Sequence, residues 1–301
     1  MKLNKLCLKD QKIFNQFLGF SIHELAAYCF GNIYIWKALY NIEWVIIKDS
    51  LCVFFHDRLG CFMYLPPLAR QMQPEVIPQV FETMDKFNKN REISRIENIP
   101  QKDLVYYRSL GYQCVEKYPD YLCLRSDLVL FKGNKFKSQR AAYNYFIKHY
   151  NFQVSALKLT DRVDCLSLFG SWIKERKMQC HDAVYCGMLE DNRRVICEAF
   201  ANYKQLNLEG IVVRINKEIK AFSFGYRLNN QMFCILYEIT DLTIKGLAPF
   251  IFRQFSRELK DYKYINIMDD SGLENLRKTK LAYKPARLID AYILTYNGRK
   301  Y

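Results

Sequence analysis

The sequence predicts an α/β (α+β) protein made of two tandem units of about 150 residues, each a mixed, mainly antiparallel sheet flanked by helices. Three observations predict this fold class. The chain has 301 residues and is 50% hydrophobic, enough for two separate cores. Runs of β-branched and aromatic residues alternate with helical stripes in the same order in both halves. An ungapped offset of 171 residues brings the two halves into register.

The first unit begins with a meander of strands. Its apolar runs are short, rich in β-branched and aromatic residues, and stopped by turns and by Pro66 and Pro67. A helix follows, because Val76, Val80 and Phe87 lie on one stripe at helical spacing. In order, the predicted elements are strands at 44–47, 51–55 and 61–65, a helix at 75–90, a strand at 93–96, a helix at 101–110 and a strand around 121.

The second unit repeats this order. It is predicted to contain strands at 210–215, 221–225 and 232–239, a helix at 248–259, a strand at 264–267, a helix at 273–281 and a strand at 288–295. Under the offset of 171, Phe81 falls on Phe252 and Tyr112 falls on Tyr283. Because elements and turns coincide as well, we interpret the halves as a duplication. The predicted domains are 1–130, a basic linking segment at 131–150, and 151–301 as the candidate catalytic unit.

Charge and cysteine content indicate which binding partners and which cellular compartment to expect. With 45 Lys and Arg against 31 Asp and Glu, the net charge of +14 attracts nucleic acid, an anionic lipid surface or a nucleotide-bearing donor. The 11 cysteines are odd in number and form no CxxC pair, so they are expected to be reduced. No stretch reads as a secretion signal or a membrane span. We expect a cytoplasmic protein, with any membrane role at the inner membrane surface.

Familiar catalytic motifs are missing from the sequence. There is no nucleophile elbow, phosphate-binding P-loop, dinucleotide fingerprint or zinc-protease helix. Cys180, His181, Asp182 and Cys186 form a cluster that resembles a zinc site, but no second pair lies at ligand spacing. The sequence therefore predicts no metal site and no tightly bound cofactor.

The linking segment carries basic residues without any acidic ones. Two interpretations remain open for it: a solvated helix face, or a phosphate-binding stripe that binds nucleic acid between interleaved aromatic residues. The candidate nucleic-acid-binding residues are Lys132, Lys135, Lys137 and Arg140.

Several segments together resemble the DUF2156 family, which is similar to the C-terminal domain of phosphatidylglycerol lysyltransferases. The resemblance spans nearly the whole chain and is carried by residues 32–36, 66–68, 120–140, 198–210, 221–229 and 270–285. It implies two fused GNAT-type folds, related to the Fem peptidyltransferases, and transfer of an aminoacyl group from charged tRNA. Where a more charged run is expected, the chain has Asn266-Ile267-Met268-Asp269-Asp270, and Glu238 is followed by Ile239 rather than lysine. The resemblance therefore implies the fold more strongly than the substrate.

A GNAT-type unit binds the donor's phosphates at a turn before a helix, because free backbone N–H groups and the helix dipole attract anions there. The second unit supplies such a turn, and the candidate donor-binding residues are Thr243, Lys245, Gly246 and Ala248. The first unit has Pro74 and Glu75 where the second has Lys245 and Gly246. We therefore expect a phosphate to prefer the second unit.

Acyl transfer also needs a proton acceptor and an oriented acceptor group. Glu238 and Asp241 are the nearest carboxylates to the turn, and Tyr283 is a candidate acid for the leaving group. Arg277 and Lys280, three residues apart on a predicted helix, share a face and are candidate substrate-binding residues together with Arg227.

Three functions remain open. The first is transfer of an aminoacyl group from charged tRNA to an amine or hydroxyl of a lipid or peptide. The second is an N-acyltransferase that uses acyl-CoA. The third is a non-catalytic tandem fold that binds RNA or an anionic membrane through its positive charge. The sequence does not predict an oligomeric state.

Overall fold

A computed structural model describes residues 2–180 and 182–296. The strands are β1 (Asn4–Lys5), β2 (Asn41–Ile47), β3 (Ser50–His56), β4 (Cys61–Met63), β5 (Ile96–Pro100), β6 (Tyr112–Leu124), β7 (Phe152–Ala156), β8 (Glu209–Ile215), β9 (Glu218–Arg227), β10 (Met232–Thr240), β11 (Tyr264–Asn266) and β12 (Arg287–Tyr296). The helices are α1 (Gln11–Leu18), α2 (Phe30–Ile35), α3 (Val76–Phe87), α4 (Leu104–Ser109), α5 (Arg125–Leu130), α6 (Lys137–His149), α7 (Arg162–Gln179), α8 (Ala183–Ala201), α9 (Leu247–Glu258) and α10 (Glu274–Ala282).

The chain forms two compact units. One unit contains the residues up to 120 together with those from 289 onward. Its strands follow the order β1-β2-β3-β4-β5-β12, and the neighbours are antiparallel except for the parallel pair β4 and β5. Its core lies between this sheet and α3, whose Val76, Val80 and Met84 are completely buried.

The other unit contains residues 121–288. Its strands follow the order β6-β11-β10-β9-β8-β7, and the pair β10 and β11 is parallel while the other pairs are antiparallel. The apolar face of α9 packs against one face of this sheet, with Phe250, Ile251 and Phe255 in the core. On the other face, Tyr237 of β10 contacts Phe169 of α7.

The predicted fold class is confirmed: each unit is a mixed, mainly antiparallel sheet flanked by helices. The duplication is visible in the element bounds, since adding 171 to the bounds of α3 gives those of α9. Equivalent aromatic contacts also recur. The ring centroids of Phe81 and Tyr112 lie 5.7 Å apart, and those of Phe252 and Tyr283 lie 4.0 Å apart.

The predicted domain boundaries do not coincide with these units. Residues 131–150 are not a separate link, because α6 packs on α9 and the rings of Phe146 and Phe250 lie 4.5 Å apart. The last strand of each half also pairs with strands of the other half: β12 pairs with β5, while the end of β6 pairs with β11. The strand predicted at 93–96 begins at Ile96 instead, because Asn90 caps a short 3-10 turn over Arg91–Ile93.

Candidate functional site

A β-bulge in β10 organises the candidate site. Ile235 pairs with Gly225 and Tyr237 pairs with Phe224, so Leu236 is an extra residue in β10. A bulge changes the direction in which the following side chains point. As a result Tyr237 faces α7, and Glu238 lies on the opposite face of the sheet, against which α9 packs.

The two parallel strands at the centre of this unit separate beyond the bulge. β10 pairs with β11 only from Met232 to Cys234. Within the described chain, the edge of β10 from Ile235 to Thr240 has no strand partner on the β11 side. This part of β10 therefore offers backbone N–H groups to a group bound beside it.

Glu238 lies directly opposite Ser223 of β9. Paired residues of antiparallel strands share a face with Cβ atoms roughly 5 Å apart. Ser223 is completely buried, and neither its Oγ nor Glu238 Oε2, which is also buried, has a hydrogen-bond partner. Buried polar atoms are normally paired, so these two oxygens mark an unusual position in the core face.

Tyr283 lies near this carboxyl group. It follows α10, is buried, and its ring packs against that of Phe252. Burial raises the pKa of Glu238 to about 8. Burial and then the charge of Glu238 raise the pKa of Tyr283 well above its ordinary value. The structure thus brings together two of the three predicted catalytic residues, with a carboxyl group of raised pKa beside a phenol that keeps its proton.

The predicted donor turn joins β10 to α9. Gly246 is the N-cap of α9 and has a left-handed φ of +83°. Within the described chain, the backbone amides of Lys245, Gly246 and Ala248 make no hydrogen bond. Lys245 is exposed, with its Nζ 4.5 Å from the centroid of the Tyr145 ring. This helix N-terminus, with free amides and an adjacent cation, has the features of an anion site.

Asp241 holds this turn in place. Its Oδ1 accepts hydrogen bonds from the amide and hydroxyl of Thr243, at 3.0 and 2.6 Å, and its Oδ2 lies 3.3 Å from Lys220 Nζ. Partial burial opposes ionisation, but the Thr243 hydrogen bonds and Lys220 hold the pKa of Asp241 below its ordinary value. Asp241 also borders a cavity of about 320 Å³ against α7, together with Trp172. These contacts make Asp241 an anchor of the turn.

The three predicted substrate-binding cations lie in different environments. Arg277 is exposed on α10, whereas Lys280 is buried and donates hydrogen bonds to the carbonyls of Ile267 and Met268. Arg227 donates to Asn230 in the turn between β9 and β10. Arg227 pairs with Phe233, five residues before Glu238, which corresponds to roughly 17 Å along a strand. Arg227 and Glu238 therefore lie far apart along β10.

The basic segment is partly engaged in its own fold. Lys135 Nζ lies 2.6 Å from Asp127 Oδ2, and Arg140 donates hydrogen bonds to the carbonyls of Phe131 and Gly133. Lys132 and Lys137 are exposed and form no ion pair within the described chain. Only part of the predicted stripe is thus open to a phosphate.

The described residues provide no metal site: no group of three or more His, Cys, Asp or Glu side chains among them is arranged to hold an ion. His181, a member of the cluster weighed as a zinc site, lies outside the described residues. No helix in the described ranges is both long enough and apolar enough to cross a membrane.

The two units define a tandem GNAT-like fold. The fold matches that of a tandem GNAT protein from the clavulanic acid biosynthesis pathway, with a TM-score of 0.56, 7% identity and coverage of 100% of this chain and 99% of that one. The family model gives a more specific assignment than the fold. The model of the family described as "Phosphatidylglycerol lysyltransferase, C-terminal" matches residues 21–295, and the chain belongs to this family.

Two further solved structures are similar over almost their whole length. A conserved Bacteroides thetaiotaomicron protein of unknown function is 25% identical, with a TM-score of 0.86 and coverage of 98% of this chain and 99% of that one. The structure of L-PGS from Bacillus licheniformis is 16% identical, with a TM-score of 0.63 and coverage of 97% and 93%. A comparison with curated proteins finds no match. Family and fold together support an acyltransferase.

Proposed function

We propose that this protein transfers an aminoacyl group from charged tRNA to an amine or hydroxyl of a lipid or peptide acceptor. The observation that carries the proposal is Glu238, whose Oε2 is buried without a hydrogen-bond partner and which lies near Tyr283. Membership of the phosphatidylglycerol lysyltransferase C-terminal family supports the reaction class.

The donor end binds at the N-terminus of α9. The free amides of Lys245, Gly246 and Ala248 donate to a phosphate of the tRNA 3′ end, and the Lys245 ammonium adds a charge. The first unit lacks these features, because the exposed carboxylate of Glu75 stands where Gly246 does and pairs with Lys48 at 2.9 Å. This contrast supports binding of an anionic donor in the second unit.

Transfer then uses groups of β10 and Tyr283. In its carboxylate form, Glu238 accepts the proton of the acceptor group. A backbone N–H of the unpaired β10 edge stabilises the oxyanion that forms at the ester carbonyl, because preorganised donors act strongly where charge develops. Tyr283, which keeps its proton at neutral pH, donates to the leaving ribose oxygen. With a lipid acceptor the +14 protein works at an anionic membrane surface.

A transfer assay with three donors and two acceptors tests the proposal. The purified protein is incubated with tRNA charged with a labelled amino acid, with labelled acyl-CoA or with the free amino acid, and with anionic phospholipid vesicles or an amine-bearing peptide. We expect labelled product only from charged tRNA. Transfer from acyl-CoA alone would replace the proposal by an ordinary N-acyltransferase, and salt-sensitive tRNA binding without product would replace it by a binding protein.

Two variants test whether transfer depends on the candidate site in the second unit. Glu238→Gln removes the proton acceptor with little change in volume and is expected to abolish transfer. Glu75→Gln is the matched control, since Glu75 is an exposed carboxylate of the first unit paired only with Lys48 in the described chain. Equal loss in both variants would contradict the assignment to the second unit.

A further inference from the structure

The pair formed by Glu238 and Ser223 narrows the chemistry of the acceptor. Both positions face the α9 side of the sheet, because Ser223 is opposite Glu238 and two residues from Ala221, which lies in the core under α9. Ser223 Oγ and Glu238 Oε2 are buried without any hydrogen-bond partner, so they do not bond to each other either. Two such oxygens on directly opposed positions could both be satisfied by one hydrogen-bonding group of a ligand.

Among the residues that the structure describes, no free positive charge lies beside the pair. The ionisable groups near Glu238 are Tyr283 and, beside that tyrosine, Cys123, and neither is a cation. The buried ammonium of Lys280 on α10 is engaged by backbone carbonyls. No salt bridge in the described ranges includes Glu238, and Ser223 offers it no hydrogen bond. Oε2 is therefore desolvated without a compensating partner, which makes the carboxylate form costly in the absence of a ligand.

The number of donors and the charge distinguish the two acceptor chemistries left open above. A primary ammonium brings a positive charge and three N–H donors, so it donates to both oxygens and compensates the buried carboxylate. A hydroxyl brings one O–H donor and no charge. It leaves the charge of the carboxylate form uncompensated.

We propose that the acceptor nucleophile is a primary amine, which binds as an ammonium between Glu238 Oε2 and Ser223 Oγ. This inference rests on the proposed aminoacyl transfer and selects the amine over the hydroxyl. Ser223 is a substrate-binding residue that holds the nitrogen in line with the ester carbonyl of the donor.

The proton balance of the step follows from this arrangement. The Glu238 carboxylate takes one proton from the ammonium, and the amine nitrogen attacks the carbonyl carbon of the aminoacyl ester. A C–N bond forms while the ester C–O bond breaks, and the electron pair leaves on the ribose oxygen. Tyr283 supplies a proton to that oxygen and regains one from the nitrogen, while Glu238 releases its proton to water. The products are an amide and a free tRNA 3′ end.

Binding without turnover tests the amine site directly. The probes are n-butylamine, an ammonium near neutral pH, and n-butanol, and the readout is NMR of the full chain labelled with ¹³C-glutamate. The wild type is expected to bind n-butylamine and to show a lower pKa for Glu238 in its presence, because the bound cation favours the carboxylate. We expect n-butanol to leave that pKa unchanged.

Ser223→Ala is expected to weaken n-butylamine binding about tenfold, the effect of losing one hydrogen bond to a charged group. The variant should fold, since the removed hydroxyl has no partner in the free protein. Thr295→Val is the matched control: Thr295 Oγ1 is also buried and unpartnered, but it lies on β12 in the first unit. The control should bind n-butylamine as the wild type does.

Two results would overturn the inference: n-butylamine binding that is the same in Ser223→Ala and the wild type, or equal effects of n-butylamine and n-butanol on Glu238. Failure of the proposed function is distinguishable from both. If charged tRNA yields no product while n-butylamine binding still depends on Ser223, the amine site is supported and only the donor assignment fails.

Discussion

Gly246 lies directly against the backbone of Ala142: a Cβ added to Gly246 would come within 2.1 Å of the Ala142 carbonyl oxygen. The turn before α9 is therefore restrained by α6, in addition to the Asp241 hydrogen bonds at its start. A glycine is required for two reasons here, the left-handed φ of +83° and this close approach.

Gly246→Ala is expected to destabilise the protein and to weaken donor binding. Gly111→Ala is the matched control, because Gly111 has a φ of +83° and no atom within 4 Å of an added Cβ. The control should lower the free energy of unfolding by ~1–2 kcal/mol through backbone strain alone. Gly246→Ala should cost at least ~1 kcal/mol more, because α6 must move. Urea denaturation measures both, and equal losses would mean that α6 does not restrain the turn.

Lys245→Glu is expected to weaken binding of charged tRNA about tenfold, because it replaces a cation by an anion beside the free amides of α9. The free energy of unfolding should change by less than ~0.5 kcal/mol, as Lys245 is exposed. Filter binding at two salt concentrations measures the affinity. Lys132→Glu makes the same charge change in the basic segment, and an equal effect there would assign binding to general charge rather than to the turn.

Lys280→Met is expected to act on stability rather than on substrate affinity. The buried ammonium holds the carbonyls of Ile267 and Met268, and Met268 has a positive φ of 60°. Loss of hydrogen bonds from a charged donor should lower the free energy of unfolding by ~2–3 kcal/mol. Arg277→Met, on the exposed side of the same helix, should cost less than ~0.5 kcal/mol. Thermal denaturation and substrate KM measured on both variants separate the two roles; a raised KM with unchanged stability in Lys280→Met would restore the substrate role predicted from the sequence.

The pH dependence of stability gives a test of Glu238 that needs no substrate. Its pKa is about 8 in the folded protein, against an ordinary value of 4.5. Between these values the folded state keeps a proton that the unfolded state has lost, so the free energy of unfolding falls as pH rises. The wild type should lose on the order of a few kcal/mol more than Glu238→Gln between pH 5 and pH 8. Urea denaturation across this range measures the difference, and parallel pH profiles would show that the carboxyl group is not desolvated.

Much of the fold could be predicted because periodic apolar patterns are local. The stripe containing Val76 and Val80 predicted α3, and the repeated pattern predicted α9. No helix was predicted over 162–201, where α7 and α8 lie, because the apolar residues of α7 are spread around the helix instead of along one stripe. The pairing of β12 with β5 depends on contacts between distant parts of the chain, which no local pattern records.

The candidate site was predicted in part. Glu238 and Tyr283 were predicted and lie near each other, whereas Asp241 anchors the turn and Lys280 binds backbone carbonyls. Ser223 was not predicted as a site residue, since a serine in an apolar strand has no motif. Ser223 becomes a candidate site residue only through its pairing with Glu238. The bulge at Leu236, which determines the face of the sheet on which Glu238 lies, cannot be predicted from residue types.

The most direct test of the central claim is the single-turnover rate of aminoacyl transfer from charged tRNA, measured against pH. With the acceptor well below its KM, so that the profile reports the free enzyme, the wild-type rate should rise with pH to a plateau with a midpoint near the pKa of about 8 for Glu238, because only the carboxylate accepts the proton. Glu238→Gln should be slower by a factor of about 100 or more and should lose this pH dependence, while Glu75→Gln should match the wild type. Transfer at the wild-type rate in Glu238→Gln, with the same pH profile, would contradict the account.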